Sequence, residues 1–167
     1  MLRPELHRHR NATLVRSLTI ATAALIAIGG YIHFCLYHHG YSAIPTIGVG
    51  FLLQVVTSGL IAVTLVVPWH AIRLGRHSTN PTTLVRLGAA ALSAGTLVAF
   101  WLTRRPGGLF GFQERGLQPA PQALLALVAE SAALVLAIVT LLVDHHEPRL
   151  AEVRVTTGPT HRHDRTR

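Results

Sequence analysis

The sequence predicts an all-α fold, a polytopic bundle of four transmembrane helices. Half of the 167 residues are hydrophobic and only 13% are charged, whereas soluble domains carry about 25% charged residues. The apolar residues are concentrated in four blocks, at about 17–37, 47–69, 87–103 and 121–143. A helix of about 20 residues crosses the ~30 Å hydrocarbon core of a bilayer. The strands of a membrane β-barrel would instead alternate polar and apolar residues over about ten positions.

The arginines predict the orientation of the bundle. All fifteen basic side chains are arginines, and twelve of them lie before the first span, between the second and third spans, or after the fourth. The other three, Arg104, Arg105 and Arg115, lie between the third and fourth spans. Basic residues near span ends are retained on the cytoplasmic side. Both termini are therefore expected in the cytoplasm, in the N-in/C-in arrangement of a multi-pass cell-membrane protein.

Three regions follow from this arrangement. Residues 1–16 form a basic cytoplasmic N-terminal segment, residues 17–143 the transmembrane domain, and residues 144–167 a cytoplasmic, largely disordered tail. The net charge of +8 does not indicate a nucleic-acid partner, because the arginines flank apolar spans and form no continuous basic face. The expected partners are the lipid bilayer and, through self-association or other membrane proteins, further membrane helices.

The first two spans each contribute polar side chains. In the first, Gly29 and Gly30 permit close helix packing, and His33 lies about one turn inside the outer edge. His38 and His39 follow at the water boundary. Cys35 is the single cysteine of the chain, which excludes an intrachain disulfide. The second span, predicted to end at Trp69, carries a small and polar stripe at helical spacing: Gly50, Gln54, Thr57 or Ser58, and Ala62.

The third and fourth spans each present small residues at steps of three and four. On the third span these residues form a predicted helix-packing seam of Gly88, Ala91, Gly95 and Ala99. Thr96, on the same span, is expected to bond back to its own helix. On the fourth span Glu130 lies within such a series, which is predicted to face the bundle: Ala123, Ala126, Glu130, Ala133 and Ala137.

The loop of residues 104–120 is too apolar for a free aqueous segment. Leu109, Phe110 and Phe112 predict that it lies on the membrane surface or folds over the mouth of the bundle. Its charged residues Arg104, Arg105 and Glu114, with His38 and His39, are candidate ligand-binding residues on the outer side.

Four polar residues on four different spans fall at a similar predicted depth. His33, Gln54, Thr96 and Glu130 lie about 6 to 13 Å from the outer edges of their spans, at 1.5 Å per helical residue. A carboxylate in mid-membrane costs about 2.5–3.5 kcal/mol on insertion scales, so partners are expected. Two interpretations remain open. In one, the layer holds the helices in register; in the other, it binds a small polar ligand, a proton or a metal ion.

No motif in the sequence identifies a reaction, a cofactor or a metal. The chain contains no Walker loop, no His-Glu-x-x-His, no Gly-x-Ser-x-Gly and no Cys-x-x-Cys. The layer contains one histidine and one carboxylate, which is fewer ligands than a metal site usually has. The alternative function is a non-catalytic scaffold or assembly subunit, whose small-residue seams dock partner helices.

Two stretches and one acidic residue carry a resemblance to a known group of proteins. Tyr41, Ile44-Pro45, Gly48 and the stretch Phe51-Leu52-Leu53-Gln54 form the first part of it. The second part is Gly108-Leu109-Phe110-Gly111-Phe112-Gln113-Glu114, followed by Glu130. With these residues the chain resembles small four-helix integral membrane proteins of actinobacteria, a group without an assigned biochemical role. The resemblance implies four spans and no particular chemistry.

Overall fold

The computed structural model describes residues 3–67 and 81–156, with side chains described for residues 11–67 and 81–144. Four α-helices account for most of this chain: α1 (Arg3–His38), α2 (Pro45–Val66), α3 (Pro81–Leu102) and α4 (Gln122–Thr156). A short 3-10 helix, η1 (Tyr41–Ala43), connects α1 to α2. Each α-helix contains a segment long and apolar enough to cross a membrane. The all-α prediction with four such helices is confirmed, and the described residues form no strand beyond one isolated bridge.

Three of the four helices, α1, α3 and α4, are longer than the predicted spans. Helix α3 begins at Pro81 and not near residue 87, and proline is favourable at the first position of a helix. Helix α4 continues to Thr156, past residue 144, where the sequence analysis placed the start of the tail. The predicted end of the second span at Trp69 lies outside the described residues.

The bundle is organised around α1 and α4. Helix α1 packs along both α2 and α4, and α3 packs along α4. Helices α2 and α3 are in more limited contact with each other. We call the end that carries η1 and residues 103–121 the loop end, and the opposite end the terminal end. At the loop end, the limited contact leaves space between α2 and α3.

Small side chains make up much of the buried core. The α4 face that the sequence predicted to be inward is buried along its whole length: Ala123, Ala126, Glu130, Ala133 and Ala137. Close helix packing through such residues is typical of membrane bundles. Large aliphatic side chains point outward on every helix, including Leu53, Leu60 and Val135. Such an apolar surface is unusual for a monomeric soluble protein.

An ion pair joins three helices at the terminal end. Arg86 of α3 is buried and contacts Asp144 of α4 through Nη1. Its Nη2 donates a hydrogen bond of 3.2 Å to Oγ1 of Thr19 on α1. The sequence placed Arg86 at a loop edge and Asp144 at the start of the tail. The structure shows that both lie within helices, Arg86 buried in α3 and Asp144 partly exposed on α4.

Candidate functional site: a cavity between α2 and α3

A cavity of about 360 Å³ lies within the loop end of the bundle. All four helices, η1 and the loop after α3 contribute to its lining. Most of the wall is apolar, with side chains such as Phe51, Leu92 and Leu127. Apolar pockets with a few placed polar groups are the usual form of small-molecule sites. The polar side chains of the lining are therefore the residues of interest.

Glu130 is the most deeply buried ionisable group of this lining, with 2% of its surface exposed. Its Oε1 accepts a hydrogen bond of 3.0 Å from Nε2 of Gln54, which joins α4 to α2. Its Oε2 has no hydrogen-bond partner among the described residues. A buried polar atom without a partner costs about 1–3 kcal/mol. The carboxyl group is thus half satisfied.

The position of Glu130 depends on a glycine of α1. A Cβ atom placed on Gly29 would lie 2.6 Å from Oε1 of Glu130, closer than real Cβ contacts allow. The adjacent Gly30 has the same relation to Ser58 of α2, at 2.7 Å from its Cβ. The close approach expected of this glycine pair is confirmed. It brings the α4 carboxyl group against the backbone of α1.

His33 lies in the same lining and is fixed by its own helix. It is 8% exposed, and its Nδ1 lies 2.8 Å from the carbonyl oxygen of Gly29. Because a carbonyl oxygen can only accept, Nδ1 is the nitrogen that carries hydrogen, and Nε2 of the neutral ring is an acceptor. The imidazole packs on Phe51, with 5.1 Å between ring centroids.

Thr96 completes the set of four predicted residues in the cavity. Its hydroxyl donates to the carbonyl oxygen of Leu92 at 3.0 Å, as expected for a threonine bonded back to its own helix. The structure therefore brings His33, Gln54, Thr96 and Glu130 into one lining. Only Gln54 and Glu130 among them are joined directly by a hydrogen bond.

The predicted seam of α3 has a different role from close packing within the bundle. Arg86, Ala89 and Ser93 form the buried face of α3. Ala91, Gly95 and Ala99 line the cavity instead, and a Cβ atom on Gly95 would have no neighbour within 4 Å. Of the two glycines in the seam, Gly88 lies nearer to another helix, with 3.8 Å from its Cβ position to Ile61.

The loop after α3 folds over the loop end of the cavity. Glu114 accepts a hydrogen bond from the Tyr41 hydroxyl, and its Oε2 lies 3.1 Å from Nη2 of Arg104. Arg104 also donates to the carbonyl oxygens of Gly116 at 2.6 Å and Gln118 at 3.0 Å. Tyr41 stacks on Phe51 with 4.6 Å between ring centroids. The sequence predicted that this loop lies on the membrane surface or folds over the mouth of the bundle. The structure shows the second arrangement.

A tight turn shapes the loop. Leu109 and Phe112 exchange two backbone hydrogen bonds, of 2.9 and 3.0 Å, around Phe110 and Gly111. Both central residues have positive φ, 53° and 79°, as in type I′ turns. Phe112 reaches Tyr41 with 5.8 Å between ring centroids. The turn thus places an aromatic side chain against the cavity mouth.

The Tyr41 phenol is the titratable group most affected by this cover. Burial raises the pKa of Tyr41 above its ordinary value, and the hydrogen bond to Glu114 raises it further. The neighbouring charge of Arg104 acts in the opposite direction. The neutral phenol is therefore the form that the folded protein stabilises.

Three of the predicted outer candidates lie outside the cavity lining. His38 is exposed and packs on Phe34, and His39 is exposed with its Nδ1 2.6 Å from the carbonyl oxygen of Cys35. Arg105 is exposed, with its guanidinium 3.6 Å from the centre of the Trp101 ring. Among the described residues, no group of three or more histidine, cysteine or acidic side chains is placed to hold a metal ion.

Sequence reasoning missed two contributors to the site. Tyr41 and Phe51 were named only within the resemblance, yet the two rings form the wall between His33 and the loop. Tyr41 is the first residue of η1 and Phe51 lies on α2, so the periodicity of one helix cannot predict that their rings meet. Their pairing depends on the turn between α1 and α2.

No protein-family model, curated protein or solved structure matches the chain. The resemblance to the actinobacterial four-helix proteins therefore stays a prediction, and the geometry of the cavity carries the functional argument.

Proposed function

We propose that the chain is a multi-pass protein of the cell membrane that binds a small, largely apolar molecule bearing one polar group. The membrane location is supported by four helices of spanning length and by their outward aliphatic side chains. The arginine distribution supports cytoplasmic termini, which places the loop end on the outer side.

The observation that carries the binding proposal is the half-satisfied carboxyl group of Glu130 in the cavity lining. One oxygen is held by Gln54, and the other has no partner among the described residues. A ligand with one hydroxyl or amino group would supply the missing hydrogen bond. Its apolar body would fill the space between Phe51, Leu92 and Leu127.

The size of the cavity sets the size of the ligand. An apolar cavity of about 150 Å³ accommodates benzene. The cavity of about 360 Å³ is therefore large enough for a two-ring compound or a comparable length of hydrocarbon chain. Its lining does not provide the cluster of ionised groups that a strongly charged solute requires.

Binding of matched naphthalene compounds to the full chain in lipid nanodiscs tests this proposal. The compounds are radiolabelled naphthylmethylamine, naphthylmethanol and methylnaphthalene, and nanodiscs without protein correct for partitioning into lipid. We expect at least one polar compound to bind above methylnaphthalene, and Glu130→Leu, which removes both carboxyl oxygens, to weaken that binding about tenfold, since one lost hydrogen bond contributes about 1.4 kcal/mol. A preference for the amine would indicate a carboxylate, and a preference for the alcohol a neutral acid.

Ser93→Ala is the matched control. Ser93 is fully buried and its hydroxyl has no hydrogen-bond partner among the described residues, but it does not line the cavity. Its replacement should leave the affinity unchanged. Equal binding of all three compounds, or a Glu130→Leu variant with wild-type affinity, would contradict the proposal.

A second candidate function is a scaffold that docks a partner helix on α3. The observation that favours it is the exposure of Ala91 and Gly95, which lie on the predicted seam. A Gly95→Cys variant in a Cys35→Ala background would form a disulfide-linked dimer in the membrane if two copies of α3 meet there. A monomer whose ligand binding depends on Glu130 would favour the cavity over the seam.

A further inference from the structure

The cavity has an opening on one side, between α2 and α3. Its lining residues on α1, which are His33 and Leu36, are buried. On α2 and α3 the lining includes exposed positions in the middle of the helices, among them Gly50, Ala91 and Gly95. A Cβ atom on Gly50 or Gly95 would meet no atom within 4 Å. The space between these two helices is therefore open to the outside of the bundle.

The opening lies at the depth of lipid hydrocarbon. Gly50 is five residues from the start of α2 and Gly95 is seven from the end of α3, which corresponds to about 8 and 11 Å along the helix axes. Exposed aliphatic residues flank it, including Leu53 on α2 and Val98 on α3. In a membrane this gap would face acyl chains and not water.

Side-chain contacts cross the loop end of the cavity, whose lining there also includes exposed residues such as Phe110. Tyr41, Glu114 and Arg104 are joined by a hydrogen bond and an ion pair across the loop end. The charged side chains of that ion pair are only 14% and 16% exposed. Phe112 adds its ring to Tyr41. A water-borne molecule entering here meets these charged and polar contacts, whereas a molecule dissolved in the bilayer meets the small residues of the gap between α2 and α3.

We propose that the ligand is a single-chain lipid amphiphile that enters sideways from the outer leaflet, between α2 and α3 at Gly50 and Gly95. Its polar group reaches Glu130, and its chain passes back through the gap toward the bilayer. This inference rests on the proposed function, since it gives the same cavity a ligand class and a route of entry. The absence of side chains at Gly50 and Gly95 provides the width for a hydrocarbon chain.

Photolabelling of the full chain in liposomes tests the route. One probe is a long-chain alcohol with a diazirine beside its hydroxyl end, which dissolves in the bilayer. Its counterpart is a short sulfonated diazirine alcohol added to the water. Peptide mass spectrometry then locates the label. We expect the bilayer probe to label the cavity segments around Gln54, Thr96 and Leu127, and the water-borne probe to leave them unlabelled.

Closing the gap should abolish this pattern. Gly50→Leu combined with Gly95→Leu places two side chains in the opening, and should reduce cavity labelling about tenfold, as expected when a route is blocked by steric overlap. Gly59→Leu is the matched control, because Gly59 is also exposed on α2 with nothing within 4 Å of its Cβ position, and it does not line the cavity. It should label as wild type does.

Two outcomes would overturn the inference. One is cavity labelling that persists in the Gly50→Leu and Gly95→Leu variant while circular dichroism shows an intact fold. The other is labelling of the cavity by the water-borne probe. If the double variant misfolds, each single leucine variant is measured separately against the same criterion.

The two proposals fail in different ways. If the bilayer probe enters the cavity but Glu130→Leu binds the naphthalene compounds like wild type, the route stands and the role of Glu130 in binding does not. If binding depends on Glu130 but neither leucine affects labelling, the site stands and the lateral route does not.

Discussion

Gly29 determines where the carboxyl group of Glu130 lies. Because a Cβ atom at Gly29 would lie 2.6 Å from Oε1, a Gly29→Ala substitution has to displace the side chain that accepts from Gln54. We expect it to lower the free energy of unfolding by about 1–3 kcal/mol through overpacking and a lost buried hydrogen bond. Thermal unfolding in mild detergent, followed by circular dichroism, measures this change.

Gly59→Ala is the control for that substitution. Gly59 also lies in a helix, with open space around its Cβ position. Alanine there should be neutral or stabilising by up to about 1 kcal/mol, because it only improves helix propensity. An equal effect of the two alanines would show that contact with Glu130 is not what matters at Gly29.

Tyr41 gives the loop end a dependence on alkaline pH. Because its folded-state pKa is raised above the ordinary 10.0, its contribution to stability is complete below about pH 10 and is lost as the pH rises further. The wild-type protein should therefore lose stability above that pH more steeply than Tyr41→Phe. Unfolding temperatures across the alkaline range, with phenolate absorbance as a second readout, measure the difference. Parallel pH profiles for the two proteins would contradict the prediction.

Among the elements, α3 and α4 depend on the ion pair at the terminal end. Arg86 is 6% exposed, whereas the Asp144 side chain is 35% exposed. Removing the acid leaves the more deeply buried charge unpaired, so Asp144→Asn should destabilise the protein more than Arg86→Met. We expect about 3 kcal/mol for Asp144→Asn, the low end for a broken buried pair.

The double variant, Arg86→Met with Asp144→Asn, separates the energy of the ion pair from the cost of burying an unpaired charge. If the two residues act as a pair, Arg86→Met with Asp144→Asn should be more stable than Asp144→Asn alone, because no buried charge is left unpaired. Arg105→Met is the control. Arg105 is an exposed arginine just after the end of α3, and its replacement should change stability little. Strict additivity of the single effects would argue against the pair.

The loop after α3 depends on a glycine with no room for a side chain. At Gly108, φ is 62° and a Cβ atom would lie 2.0 Å from the carbonyl oxygen of Phe112. Gly108→Ala should therefore open the turn and increase tryptic cleavage after Arg115. Gly107→Ala is the control, since it shares positive φ but has open space. Equal cleavage of both variants would show that the contact with Phe112 does not hold the turn.

For the whole molecule, the orientation of the bundle is open to a direct measurement. We expect a reporter fused after Arg167 to be active in the cytoplasm, and a reporter inserted at Gly107 to be active only on the outer side, because most arginines flank the terminal end. Inverted activities would reverse the proposed topology and would place the cavity in the inner leaflet.

The parts of the fold that follow from periodicity were predictable from the sequence. The inward face of α4 is an example, because alanines at three- and four-residue steps identify it whatever surrounds the helix. The depth of Gln54 and Glu130 could be counted from span edges in the same way. Their direct hydrogen bond depends on the relative rotation of α2 and α4, which no single helix encodes.

Contacts between distant segments were not predictable. Arg86 was interpreted as a loop-edge residue because charge is the usual mark of a span end, and its partner Asp144 lies 58 residues away. The pairing of Tyr41 with Glu114 spans 73 residues and depends on the turn at Phe110 and Gly111. Gly95 was interpreted as part of a packing seam, since small residues can serve either close packing or an opening.

The side opening at Gly50 and Gly95 has a practical consequence for handling the protein. Detergents are themselves single-chain amphiphiles. During solubilisation they are present in millimolar excess and would compete with the proposed ligand for the cavity. The proposed lipid ligand would dissociate on dilution, and a binding measurement on purified protein would then detect bound detergent. Excising the protein together with a patch of its own bilayer in an amphipathic polymer avoids this exchange, and solvent extraction of those patches would recover the natural occupant.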